Sequence, residues 1–187
     1  IISGKFKGSS LHMPLDKNTR PLKDLVRESI FNLLTHSNKI QLQVEKANVL
    51  DLYSGTGSFG LECLSRKAKY VYFSENEKSV FKILKKNIEK LKIENKTKVF
   101  YSDIFNLINT QSHLMPKFDL IFCDPPFNDI NIEKLINLIF NKNLMNENGI
   151  IVLHRNKNTK EKLPNCLKII DERIYGISKI IFGKFLS

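Results

Sequence analysis

A chain of 187 residues with 42% hydrophobic content is long enough to bury a core and cover a sheet on both faces, so 1–187 reads as one domain. Thirty Lys plus Arg against nineteen Asp plus Glu leave a net charge of +11, which fits a polyanionic partner such as nucleic acid and fits equally a lysine-rich solvated surface. No apolar run approaches the ~20 residues of a membrane span, and the opening IISGKFKGSS lacks a signal-peptide core, so a cytoplasmic protein with no membrane partner is expected.

Cys63, Cys123 and Cys166 are far apart and the histidines at 12, 36, 113 and 154 are scattered, so neither a disulfide framework nor a metal site is expected. In chain order, SGKFKGSSLHMP sets short apolar beads between Gly, Lys and Ser, the pattern of a small β arm or hairpin. After Arg20-Pro21, LKDLVRESIFNLLTH places Leu22, Leu25, Val26, Ser29, Ile30, Leu33 and Leu34 at helical spacing, so 1–36 reads as an arm followed by a lid helix. KANVLDLYSG predicts a strand ending near Asp51, SFGLECLSRKA a helix, and YVYFSE a strand ending near Glu75. EKSVFKILKKNIEKLK is an amphipathic helix with Val80, Ile83, Leu84, Ile88 and Leu91 on one side, and its lysines, Lys82, Lys85 and Lys86 among them, read as a solvated face.

Thr97 to Tyr101 predicts a third strand, followed by Asp103 and a short helix; Phe118 to Cys123 a fourth; INIEKLINLIF a helix; GIIVLHR a fifth strand. Two β-rich runs around Tyr175-Gly176 predict a closing hairpin. Strands alternating with helices imply a doubly wound, mostly parallel, seven-stranded Rossmann-like α/β sheet with an antiparallel tail. Ligands of such sheets bind beyond the carboxyl ends of the strands. Asp51, Glu75, Asp103 and Asp124 all stand there.

In VLDLYSGTGSFGLE, glycines 55, 57 and 60 follow a strand and open a helix, so the backbone can turn tightly and a ligand can approach it closely. GxGxxG alone also opens nicotinamide and flavin sites. Asp51, four residues before the first glycine, favours a cationic ligand over a pyrophosphate, and S-adenosylmethionine is a cationic amino acid joined to a nucleoside without phosphate. Asp51, Ser54, Gly55 and Gly57 then form the turn that holds it. Glu75, with Asn76 beside it, is placed to accept from both ribose hydroxyls, and Asp103 to accept from the adenine amino group with Ile104 against the ring. Helix capping accounts for either acid taken singly; one ligand accounts for all three.

GKFKG, RPLKDLVRESIFNLL, DLYSGTGSFGLECLSRKA, the two later acids and DPPF together resemble the class I methyltransferases, and among them the RsmD-type ribosomal RNA guanine-N2 methyltransferases. The resemblance covers almost the whole chain. It departs at Leu22, where threonine is expected, at Lys67, where glycine is usual, and at His154, which replaces an acid. It implies a monomer that methylates N2 of a guanine in bacterial 16S ribosomal RNA, as free RNA, small subunit or assembly intermediate. It also implies that Arg20, Lys23 and Arg27 lie nearest the substrate, with Lys5 and Lys7 as weaker contacts.

FDLIFCDPPF then takes on a chemical meaning. An exocyclic amino group has its lone pair delocalised into the base; acceptors aimed at its hydrogens return that pair to nitrogen for in-line attack on a sulfonium methyl. The Asp124 carboxylate and the Pro125 carbonyl are such acceptors, Pro125 and Pro126 hold the turn without competing donors, and Phe127 offers a face for base stacking, worth roughly 1–3 kcal/mol. A plain strand-ending turn is the competing account of DPPF. DNA adenine-N6 methylation and a non-catalytic RNA-binding or ribosome-assembly role are the competing functions.

Overall fold

The computed structural model describes residues 1–14, 24–40, 42–160 and 162–186. Helix α1 (Asp24–His36) precedes five parallel strands, β1 (Asn48–Leu52), β2 (Tyr70–Glu75), β3 (Thr97–Tyr101), β4 (Phe118–Cys123) and β5 (Met145–Asn156). They alternate with α2 (Ser58–Ser65), α3 (Lys78–Leu91), α4 (Ile104–Gln111) and α5 (Ile132–Asn141). The antiparallel strands β6 (Leu167–Tyr175) and β7 (Ser178–Phe185) complete a seven-stranded sheet of order β3-β2-β1-β4-β5-β7-β6.

Period-two alternation decides which side chains face which layer. Val49, Val71, Phe73, Leu120, Phe122 and Val152 join Phe31 of α1 and Phe59 of α2 in one core, whereas Leu50, Leu52, Ile121, Cys123, Ile151 and Leu153 join α4 and α5 in the other. Phe59 stacks on Phe122 at 3.8 Å between ring centroids and on Phe31 at 5.1 Å, tying α1 and α2 to the sheet centre. Each such ring contributes roughly 1.5–3 kcal/mol by burial. The order of strands reverses direction between β1 and β4. The crevice outside that point is where a sheet of this kind receives its ligand.

Two local expectations are corrected. Residues 1–14 contain no strand; they form turns, because their backbone bonds within the segment, as from Gly8 to the Ile1 carbonyl, and to groups of α2 and α3 instead of to a neighbouring strand. The fully buried Glu62 of α2 accepts from the Ile2 and Ser3 amides at 2.7 and 3.0 Å, and Asn87 of α3 accepts from the His12 amide and donates to the His12 carbonyl. Leu25 does not share the buried face of α1, which is Val26, Arg27, Ile30, Phe31 and Leu34; it is 69% exposed. Leu22 lies outside the described residues. Among the described residues no helix is long and apolar enough to cross a membrane.

Candidate active site

The glycine turn is assembled by the acids that flank it. Asp51, at 1% exposure, accepts the Gly60 amide on Oδ2 at 2.9 Å, so it anchors the first turn of α2 as well as facing the crevice end of β1. Burial pushes its carboxyl well above the usual carboxylate range; the Gly60 hydrogen bond opposes this, and the negative charges of Asp124 and Glu75 add to it. An ionised Asp51 is therefore costly by itself and is relieved by a neighbouring cation. Ser54 is spent internally: its hydroxyl bonds to the carbonyls of Asp51 and Ser74 and accepts the Ser74 amide, closing β1 against β2.

The glycines divide their work. Gly55 has φ +56° with open space where a Cβ would stand, leaving the backbone accessible, while its amide donates to Glu75 Oε2 at 2.8 Å. At Gly60 a Cβ would fall 2.3 Å from the Phe73 ring, so this glycine lets α2 lie close on β2.

Beyond the ends of β2 and β3, Tyr53, Glu75, Asn76, Ser102, Asp103 and Ile104 line a small open cleft. Glu75 is already hydrogen-bonded, to Gly55 and, through Oε1, to the Glu77 amide. Asp103 is the N-cap of α4, and its two cap bonds, from Phe105 and Asn106, both fall on Oδ1. Capping is thus compatible with Oδ2 meeting a ligand.

DPPF follows β4 directly across the crevice. The Asp124 amide donates to the Leu52 carbonyl at 3.4 Å, which sets the acid beside the end of β1. Its Oδ1 lies 2.7 Å from His154 Nδ1, and His154 Nε2 lies 2.8 Å from Ser178 Oγ. Pro125 is buried, Pro126 exposed and Phe127 half-buried, its ring edge-on to His154 at 5.4 Å and 79°. Sequence reasoning missed what holds this loop. Arg155, 1% exposed, donates to the carbonyls of Pro126 at 3.0 Å, Phe127 at 3.4 Å and Asp129 at 2.7 Å. Asp129 in turn accepts from the Tyr53 hydroxyl at 3.0 Å, joining the loop to the cofactor cleft. Tyr53 has φ 57°, and burial, then the charges of Cys123 and Asp129, hold its phenol protonated as a donor. The available signal was positional: Arg155 and His154 continue the apolar run of β5, which a strand needs no charge to finish.

Of the three residues expected nearest a substrate, Arg20 and Lys23 lie outside the described residues. Arg27 is 5% exposed and paired with Asp24 at 2.8 Å, so it is packed within α1 rather than presented on an open face. His12 is linked to the glycine turn through Asn87, which donates to the Thr56 carbonyl as well as to that of His12. Among the described residues no group of His, Cys, Asp and Glu is arranged to hold a metal.

The family model described as Conserved hypothetical protein 95 matches residues 1–184. Ribosomal RNA small subunit methyltransferase D of Haemophilus influenzae is 32% identical over 178 residues, covering 95% of this chain and 89% of that protein. The chain belongs to the methyltransferase D family. Two solved structures set this chain among known folds. A putative methyltransferase, yhhF, from Escherichia coli superposes with a TM-score of 0.84 at 26% identity, over 100% of this chain and 97% of that one. The putative methylase HI0767 from Haemophilus influenzae does so with a TM-score of 0.79 at 31% identity, over 100% and 98%.

Proposed function

We propose that this protein transfers a methyl group from S-adenosylmethionine to the N2 amino group of a guanine in small-subunit (16S) ribosomal RNA. One observation carries the reading: Asp124-Pro125-Pro126-Phe127 leaves β4 beside the end of β1, where Asp51 and the glycine turn stand, at the point where the strand order reverses. The names of the relatives support the reaction and the RNA class, and the net charge of +11 suits a phosphate-rich substrate.

In this reading Asp51 faces the positive end of the cofactor, the open backbone at Gly55 lies along it, Glu75 with Asn76 takes the ribose, and Asp103 with Ile104 takes the adenine. The cofactor supplies an electrophilic methyl on sulfur. Asp124 and the Pro125 carbonyl would accept from the amino hydrogens of the base and direct its lone pair at that methyl, while Phe127 stacks on the ring; as the N–C bond forms the S–C bond breaks, S-adenosylhomocysteine leaves, and the alkylated nitrogen gives up one proton to Asp124 or to water. Arg20 and Lys23 are assigned to the RNA backbone. Arg27 orders the helix that follows them. The base reaches the site exposed or extruded from its stack.

Methyl transfer from labelled S-adenosylmethionine is measured with small subunits, free ribosomal RNA and DNA, and the modified nucleoside is identified after digestion. N2-methylguanosine from the RNA is expected. Asp124→Ala is expected to lower turnover by roughly 10²–10³ while cofactor affinity by calorimetry changes little. Methyl groups on DNA adenine, or full turnover in a folded Asp124→Ala protein, would overturn the reading.

A further inference from the structure

Asp124 is not the end of its own hydrogen-bond chain. β4 and β5 pair in parallel up to Cys123 and Leu153, so Asp124 and His154 emerge side by side one residue later. His154 also pairs with Ile180 of β7, which brings Ser178, two residues away on the same face, to the far nitrogen of the ring. The result is a buried series, Ser178 Oγ to His154 Nε2 at 2.8 Å and His154 Nδ1 to Asp124 Oδ1 at 2.7 Å, with the Phe127 ring packed on the imidazole. His154 is 7% exposed and Ser178 likewise 7%, whereas the side chain of Asp124 is 22% exposed, so the series opens towards the crevice at the carboxylate only.

We propose that His154 is the positioning residue for Asp124 in the methyl transfer of the preceding section, on which this inference rests. A carboxylate accepts and cannot donate, so the 2.7 Å contact places the ring proton on Nδ1; Nε2 is then the acceptor of the Ser178 hydroxyl proton. The carboxylate fixes the tautomer, the Nδ1 proton holds Oδ1, and the Ser178 hydroxyl, donating to Nε2, holds the ring in place. Oδ2 is thereby directed at the amino group of the base. The same ring sets the tilt of Phe127, so carboxylate and stacking face are aligned by one side chain. An acid at position 154 would do the opposite, setting a second negative charge against Asp124. His154 makes and breaks no bond to the substrate.

The test combines a substrate-free readout with kinetics. Nitrogen-15 NMR of the imidazole in the wild-type protein is expected to show the proton on Nδ1, and Asp124→Ala to weaken that preference. In single-turnover methyl transfer, His154→Leu is expected to lower the rate by up to about 100-fold, the cost of misplacing a reacting group by about 1 Å, with cofactor affinity and KM for RNA nearly unchanged. His154→Asn, whose amide nitrogen stands in for Nδ1, is expected to recover most of that loss. A ring proton on Nε2, or a His154→Leu rate equal to wild type, or no recovery in His154→Asn, would overturn the proposal. If the wild type proves to methylate a different nucleic acid, the functional reading fails while the NMR result and the same variants on that substrate still decide the role of His154.

Discussion

Arg155→Lys preserves the charge beneath the DPPF loop and removes the fork. The guanidinium serves the carbonyls of Asp129, Pro126 and Phe127 at 2.7, 3.0 and 3.4 Å from a fully buried position. A hydrogen bond from a charged donor is worth about 1.5–3 kcal/mol, and an ammonium on a shorter reach holds one of these carbonyls in place of three. Since the 3.4 Å contact is weak, the loss is one full bond and a fraction of another, roughly 2–4 kcal/mol. For a domain of this size each kcal/mol lowers Tm by about 2–4 °C, so Arg155→Lys is expected to melt roughly 4–16 °C below wild type. The loop also loses its fixed distance from β1, and turnover is expected to fall by up to about 100-fold. Thermal unfolding followed by circular dichroism and single-turnover methyl transfer read the two effects. A variant melting within about 2 °C of wild type, with unchanged turnover, would refute the claim that Arg155 shapes the loop.

Asp51→Asn keeps an acceptor for Gly60 and removes a buried charge. Because the folded-state pKa of Asp51 is raised, its stabilising contribution is present below the unfolded value near 3.9 and is lost as pH rises through the folded value. The variant is therefore expected to melt higher than wild type at pH 7, with the gap closing as pH falls towards about 4, while affinity for S-adenosylmethionine drops; a gap independent of pH refutes the assignment. Gly60→Ala drives a methyl to 2.3 Å from the buried Phe73 ring. It is expected to cost about 1–3 kcal/mol in denaturant unfolding, and a neutral result would show that α2 can retreat from β2 freely.

Much of this was legible in the sequence because it is local. The runs NVLDL, YVYFSE and FDLIFC alternate correctly for a sheet covered on both sides, and each carries its acid at or just past its end. The glycine turn announces itself by spacing. What escaped was carried by register between distant segments. Arg155 and His154 acquire their roles only when β5 lies beside β4, and Ser178 only when β7 lies beside β5. Glu62 was likewise unreadable: a carboxylate amid the apolar residues of α2 carries no local sign that it will hold the amides of Ile2 and Ser3, 60 and 59 residues away. The arm departs from its β pattern for the same reason, its partners being its own turns and distant groups on α2 and α3. Leu25 fits helical periodicity and is nevertheless exposed, since α1 buries a narrower stripe than its apolar content offers.

The position of β7 has a consequence for the order in which a newly made chain becomes competent. β7 follows β6 in the chain, yet it is β7 that sits between β5 and β6 in the sheet. A nascent polypeptide can assemble β1 to β5, glycine turn and acids included, while the outer edge of β5 still has no neighbour. Only when residues 178–185 emerge and slot in can β6 dock behind them. Because Ser178 arrives with that strand, the glycine turn and the acids of β1 and β2 are in place during synthesis well before His154, and through it Asp124, acquires its support. A chain truncated after β6 should therefore retain the glycine turn while exposing the long edge of β5 to aberrant strand pairing.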